Sequence, residues 1–133
     1  MSSPKAPRMQ RMIAQSCTIH VHKVALTLPL HLRSEANERS FWGTKSQRVR
    51  EQRALTRAAL NAHSVPKSGF TRVVFTRLGP KMLDSDNLAG SAKAVRDEIA
   101  AYCGVDDGPK GPLTWEYNQE VNAAYGCRIE LLS

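Results

Sequence analysis

The sequence predicts an α/β (α+β) domain, a small mixed β-sheet with two main helices in the order β-α-β-α-β-β. Three observations predict this class. Four segments are rich in β-branched or alternating apolar residues, as strands are. Two other segments repeat apolar residues at spacings of three and four, as amphipathic helices do. The length of 133 residues suits one domain with a hydrophobic core.

The elements follow one another along the chain. The predicted strands are residues 17–28, 70–78, 113–120 and 125–132. The predicted helices are residues 46–62 and 88–102. Pro29 ends the first strand, Ser46 is a suitable N-cap for the first helix, and Gly104 follows the second helix, where glycine commonly ends helices. We therefore expect residues 16–133 to form a single domain.

Positive charge is concentrated in the first half of the chain. The net formal charge is +7, made up of +8 over residues 1–57 and −1 over residues 58–133. Residues 1–15 contain serine, proline and basic residues and predict a flexible basic arm. A basic half beside an acidic half suits a metal-dependent nuclease, because cations hold phosphates and carboxylates hold metal. A generic basic protein would have the same totals.

Cysteine usage and hydropathy predict a cytoplasmic protein that does not cross a membrane. The three cysteines, Cys17, Cys103 and Cys127, are odd in number and widely spaced, which favours a reducing compartment over a disulfide framework. No run of eighteen apolar residues and no signal-peptide core is present. Cys17, His20 and His22 lie close in sequence, but a zinc site needs further ligands, and no second pair follows.

The segment from Leu83 to Asp107 carries the residues of greatest chemical interest. Asp84 and Asp86 lie two residues apart, and in an extended segment both would point to one side. Mg²⁺ binds hard oxygen ligands of this kind, and Asp86 is also a candidate helix N-cap. An ordinary turn and N-cap would produce the same pattern. Asp107 can join the first pair only if the chain folds back along a helix of about 22 Å.

Three pieces of this segment resemble the RusA family of Holliday junction resolvases. The pieces are Asp84-x-Asp86-Asn87-Leu88, Lys93-Ala94-Val95-Arg96-Asp97 and Val105-Asp106-Asp107. They occur in the family's order and cover about a quarter of the chain. The predicted order of strands and helices also fits that family.

The resemblance implies a Mg²⁺-dependent endodeoxyribonuclease, with Mn²⁺ as a possible substitute, that resolves four-way DNA junctions by paired phosphodiester hydrolysis. Asp84, Asp86 and Asp107 would be the catalytic metal ligands, and Lys93 the active-site lysine. Possible supporting residues around them are Asn37, Asn87, Asp97 and Asp106. The resemblance implies a role in DNA recombination and repair in a bacterial cell, for a protein encoded by the bacterium or by a phage. Symmetric cutting implies a homodimer.

Predicted DNA contacts are basic side chains outside the acidic motif. They are Arg39, Lys45, Arg48, Arg50, Arg53, Arg57 and Lys81. Arg50, Arg53 and Arg57 form one stripe of the first helix, which suits phosphate oxygens but is also typical of a solvated face. Arg77, near Lys81 in sequence, is expected to approach the scissile phosphate.

One departure from the family separates Asn87-Leu88 from Lys93 by about three extra residues, nearly one helical turn. Lys93 then has an alternative role as the ion-pair partner of Asp97 at i+4. Two alternative functions follow. One is a DNA-binding module that kept the fold without catalysis, and the other is a nuclease for flaps or forks.

Overall fold

A computed structural model of the protein describes residues 16–20, 23–33 and 42–133. In that part of the chain the strands are β1 (Ser16–His20), β2 (Lys23–Leu28), β3 (Arg72–Gly79), β4 (Thr114–Val121) and β5 (Gly126–Leu132). The helices are α1 (Trp42–Ala62), α2 (Ser85–Ser91) and α3 (Lys93–Cys103). The mixed class with two main helices, α1 and α3, is confirmed. The arm predicted for residues 1–15 lies outside the described residues.

The strands form one five-stranded mixed sheet in the order β1-β2-β5-β3-β4. The last strand of the chain, β5, lies in the middle and runs antiparallel to both β2 and β3. By contrast, β3 and β4 are parallel. Parallel strands need a crossover connection, usually helical, and the connection here contains α2 and α3.

The hydrophobic core lies between the sheet and the two main helices. Leu26 of β2, Ile129 of β5 and Phe75 of β3 are neighbours across the sheet, and each is at most 1% exposed. They belong to one cluster with Leu60 of α1 and Ile99 of α3. Burying side chains of this size contributes about 1.5–3 kcal/mol each, so this layer fixes how the helices lie on the sheet.

The single strand predicted over residues 17–28 is wrong, because the structure has two antiparallel strands there. In β1 and β2, His20 pairs with Lys23 and Ser16 pairs with Thr27. The two residues between His20 and Lys23 are valine and histidine. Neither is a typical hairpin-turn residue, so β-propensity alone predicted one long strand.

The helix predicted over residues 88–102 is two helices that meet at Ala92. α2 begins after Asp84, whose backbone is extended, whereas Asp86 lies in the first helical turn. Asp84-x-Asp86 is therefore not one extended segment, and the candidate N-cap at Asp86 is wrong, because Asp84 occupies that position. Ala92 leaves helical geometry with φ −95° and ψ 1°, and the Ser91 hydroxyl donates to the Leu88 carbonyl (2.7 Å) instead of capping α3.

Neither cysteine with a described side chain is disulfide-bonded. Cys103 is half-buried and Cys127 is fully buried. Burial raises the pKa of the Cys127 thiol to about 12, so this side chain acts as a small apolar residue of the core. Within the described ranges no helix is both long and apolar enough to cross a lipid bilayer.

A buried carboxylate on α3 joins the two main helices. Glu98 accepts a hydrogen bond from Arg53 Nε (2.8 Å) and another from Arg57 Nε (2.6 Å), both on α1. Burial of Glu98 raises its pKa, but the hydrogen bonds and charges of the two arginines outweigh burial. They hold the pKa of this carboxyl below its ordinary value of 4.5.

We expect Glu98→Gln to lower the free energy of unfolding by about 1–2 kcal/mol at pH 7. A fully buried pair would lose about 3–5 kcal/mol, and the loss is smaller here because Arg53 and Arg57 remain 41% and 38% exposed. Because the folded pKa of Glu98 is the lower one, its contribution is complete above about pH 4.5 and disappears as the pH falls through the folded value.

Urea unfolding at pH 7 and at pH 3 measures this effect. The matched control is Glu116→Gln, which removes the exposed Arg72–Glu116 pair and should cost less than about 0.5 kcal/mol. Equal losses for the two variants at pH 7, or a Glu98→Gln loss that grows on acidification, would contradict the expectation.

Candidate active site

The first acidic pair lies where the chain leaves β3 and enters α2. Asp84 and Asp86 are both exposed. The residue before them, Leu83, is fixed to β4 by two hydrogen bonds with the Gln119 side chain. Leu83 N donates to Gln119 Oε1 (2.8 Å), and Gln119 Nε2 donates to Leu83 O (2.7 Å). Gln119 therefore fixes the segment that leads into Asp84.

A buried arginine also fixes the segment between β3 and α2. Arg77 of β3 is 4% exposed. Its Nε donates to the Leu32 carbonyl (2.9 Å) and its Nη1 to the Lys81 carbonyl (2.7 Å). The expectation that Arg77 meets the scissile phosphate is wrong, because its guanidinium faces backbone carbonyls inside the protein. Lys81 itself has an exposed side chain.

The second acidic pair lies in a loop that returns along α3. The helix ends at Gly104, which is left-handed with φ 68°, and the chain then turns back. Arg96, seven residues before Cys103, donates to the carbonyl oxygen of Asp107. Seven residues correspond to about 10 Å of helix, so the loop retraces about that length. This is the direction of folding that Asp107 needs to approach the first pair.

The two neighbouring aspartates of this loop have different surroundings. The Asp106 carboxylate accepts a hydrogen bond from Gly108 N (2.9 Å), which is the local bond of an Asx-turn. The Asp107 carboxylate instead lies 3.6 Å from Arg96 Nε and is 38% exposed. Asp106 therefore stabilises the turn, whereas the Asp107 carboxylate is partly exposed beside Arg96.

Lys93 and Asp107 line one cleft, here called the motif cleft. Its volume is about 290 Å³, and its lining residues are Ala89, Gly90, Lys93, Arg96, Asp107 and Tyr117. Lys93 is 73% exposed and pairs with Asp97 at 3.0 Å, so the predicted i+4 ion pair is present. A pair this exposed contributes little stability, and the ammonium remains accessible from the cleft.

The two acidic segments approach neighbouring residues of β4. Asp107 is linked through Arg96 to the Tyr117 hydroxyl (2.8 Å), and Asp84 follows Leu83, which binds Gln119. Residues two apart on a strand are about 7 Å apart and lie on one face. Even so, no three His, Cys, Asp or Glu side chains among the described residues are close enough together to hold a metal ion. Carboxylate oxygens are suitable ligands for Mg²⁺, but the described carboxylates do not form a cluster of three in this structure.

Two arginines of the predicted basic stripe of α1 are engaged in an ion pair with α3. Arg53 and Arg57 bind Glu98, so they are not free for phosphates in this structure. Arg50 and Lys45 are exposed, and Lys45 shares with Lys93 a cleft of about 380 Å³ between α1 and α3. Arg48 is half-buried.

The remaining predicted site residues are Asn87, Arg39 and Asn37. Asn87 is half-buried in the first turn of α2. Arg39 and Asn37 fall outside the described residues, so their predicted roles stay predictions.

Sequence reasoning missed three residues that shape this site: Arg96, Tyr117 and Gln119. Arg96 lies within a motif piece, three residues after Lys93, where helical spacing puts it on an adjacent face. Tyr117 lies within the strand predicted over residues 113–120, but the strand pattern indicated no partner for it. Gln119 had no signal, because its bonds join residues 36 apart in sequence.

Comparison with protein-family models and with curated sequences finds no match for this chain. The likeness to RusA-type resolvases therefore depends on the three motif pieces and stays a prediction.

Gly111 holds the turn that carries the second acidic pair, and we expect Gly111→Ala to destabilise the protein by about 1–3 kcal/mol. A Cβ at this position would lie 2.0 Å from the Asp106 carbonyl oxygen, so the backbone of the turn must move. Urea unfolding measures the loss.

The matched control is Gly90→Ala in α2, where a Cβ meets nothing within 4 Å. Alanine should raise the free energy of unfolding there by about 0.5–1 kcal/mol, because it favours the helix. A Gly111→Ala protein as stable as the unmodified one would show that the turn adjusts freely.

Proposed function

We propose that this chain is a Mg²⁺-dependent, structure-specific endodeoxyribonuclease of the RusA type that cuts four-way DNA junctions. The support for the proposal is that the loop carrying Asp107 and the segment before Asp84 are both held at β4, through Tyr117 and Gln119. The loop carrying Asp107 returns along α3, Lys93 lines the same cleft, and Gln119 ties down the segment before Asp84. Pieces far apart in sequence thus approach one surface.

Asp84, Asp86 and Asp107 are the residues that would hold Mg²⁺, or Mn²⁺ in its place. Bound Mg²⁺ supplies an activated water and stabilises charge on phosphate oxygens. All three carboxylates are at least partly exposed, so DNA and cation reach them without opening the core.

Basic side chains of the protein hold the phosphates. The Lys93 ammonium lies at the motif cleft, where it neutralises charge that develops on the reacting phosphate. Lys45 extends this positive surface across the cleft between α1 and α3, and Arg50 and Lys81 are exposed. Arg53 and Arg57 are not needed for this interface, since Glu98 already binds them.

The proposed biological unit is a homodimer that acts in recombination and repair in the cytoplasm of a bacterium, encoded by the bacterium or by a phage. Paired cuts on a symmetric junction require two sites related by a two-fold axis. A single chain offers one motif cleft among the described residues, so the second site must come from a second copy.

One observation favours a second candidate function, a junction-binding module without catalysis. The described carboxylates do not gather into a cluster of three. Carboxylates repel one another, so a chain that had lost the metal would keep them apart.

We expect the purified protein to make paired nicks in a labelled four-way junction with Mg²⁺ and to leave linear duplex intact. Asp86→Asn and Asp107→Asn should each lower the cleavage rate at least about 100-fold, because the amide cannot supply the charge that the cation requires. Glu120→Gln, which removes an exposed carboxylate paired with Arg128, should cut at the normal rate.

Flap and fork substrates are measured in parallel, since faster cutting of either would reassign the substrate. Tight junction binding without nicks in Mg²⁺ or Mn²⁺ would replace the nuclease with the binding module.

A further inference from the structure

The guanidinium of Arg96 lies where three parts of the chain meet. From α3 it donates through Nη1 to the Tyr117 hydroxyl on β4 (2.8 Å) and through Nη2 to the Asp107 carbonyl. Its central carbon lies 5.0 Å from the ring centre of Trp115. A planar guanidinium held by a ring face and a fork of hydrogen bonds has a fixed orientation.

Arg96 is the described side chain that joins Asp107 to the rest of the fold. The start of the loop is tied to α3 by the bond from Val105 N to Ala100 O, and its two ends pack on the core through Val105 and Leu113. Within the loop the bonds from Gly108 N to Asp106 and from Gly111 N to Gly108 O are local. The bond from Arg96 therefore fixes the middle of the loop, at the Asp107 main chain, because Tyr117 and Trp115 in turn hold Arg96 on the sheet.

The Asp107 carboxylate forms an ion pair with Arg96 but accepts no hydrogen bond from it. Arg96 Nε lies 3.6 Å from Asp107 Oδ2, which is too long for a hydrogen bond. This Nε is buried, and among the described residues it has no hydrogen-bond acceptor. A carboxylate that binds a metal normally accepts a hydrogen bond from a supporting residue, and an unused N–H beside Asp107 is the donor for that purpose.

We propose that Arg96 is the positioning residue of Asp107. Its Nη2 fixes the Asp107 main chain at the motif cleft, and its Nε–H is the donor that supports the Asp107 carboxylate when it holds a divalent cation. The inference rests on the proposed function, since it takes Asp107 as a metal ligand. Arg96 itself touches neither the cation nor the DNA.

A plain counter-ion role for Arg96 makes the opposite prediction. A positive charge 3.6 Å from the carboxylate repels an incoming cation. If Arg96 were only a counter-ion, removing its charge would strengthen cation binding, and lysine would replace it without loss. If Arg96 positions Asp107, both changes weaken binding, because neither side chain supplies the fork and the Nε–H.

The experiment is titration calorimetry of Mn²⁺ into the full-length chain, without DNA. We expect Arg96→Met and Arg96→Lys each to weaken Mn²⁺ binding about 10–100-fold, the range found when a supporting residue of a metal ligand is lost. Tyr117→Phe keeps the charge and removes one hydrogen bond to Arg96, so it should give a smaller loss in the same direction. The control Arg72→Met, which breaks the exposed pair with Glu116, should bind Mn²⁺ normally.

Thermal unfolding of each variant shows whether the fold survives, and Tyr117→Phe carries the test if Arg96→Met does not fold. Tighter or unchanged Mn²⁺ binding in Arg96→Met, or normal binding in both Arg96→Lys and Tyr117→Phe, would overturn the positioning role.

Junction cleavage by the unmodified protein separates this inference from the proposed function. Normal Mn²⁺ binding without cleavage overturns the nuclease and leaves the Arg96 comparison valid. Normal cleavage with unchanged Mn²⁺ binding in the Arg96 variants overturns the Arg96 role alone. Absence of Mn²⁺ binding by the unmodified protein overturns both.

Discussion

The parallel pairing of β3 with β4 is the constraint on which the candidate site depends. Strands that run in the same direction cannot be joined by a tight turn, so the chain from Gly79 to Thr114 must return across the sheet. That return contains every residue of the acidic motif. The loop after β3 delivers Asp84, α2 carries Asp86, α3 carries Lys93 and Arg96, and the loop before β4 brings Asp107 back along α3.

Several arginines of this protein stabilise the fold by hydrogen bonds between separate elements. Arg53 and Arg57 bind one glutamate between the helices, Arg77 holds two loops by their carbonyls, and Arg96 holds a third loop. Guanidinium groups suit this role because they present several donors in a rigid plane. The net charge of +7 therefore overstates the number of cations that are free of partners inside the protein.

The break at Ala92 gives a physical account of the residues that separate Asn87-Leu88 from Lys93. A short helix, α2, spans most of this separation, and α3 begins at Lys93. Lys93 therefore occupies the first turn of its own helix, where it lines the motif cleft together with Asp107.

Sequence by itself determined the class of fold, the approximate position of most strands and helices, and the acidic residues of interest. These features are local: strand alternation, helical spacing and the short Asp-x-Asp motif are all visible within a few residues. The sequence did not predict the separate strands β1 and β2 or the break between α2 and α3 at Ala92. No residue pattern near either position indicated a change of direction.

Tertiary structure decided which groups meet. Arg53 binds Glu98 across 45 positions, Leu83 binds Gln119 across 36, and Arg96 binds Tyr117 across 21. No pattern within a short window contains both partners of such a pair. The choice among several possible carboxylates, carbonyls and arginines depends on how the helices pack on the sheet, and that packing exists only when the whole chain is folded.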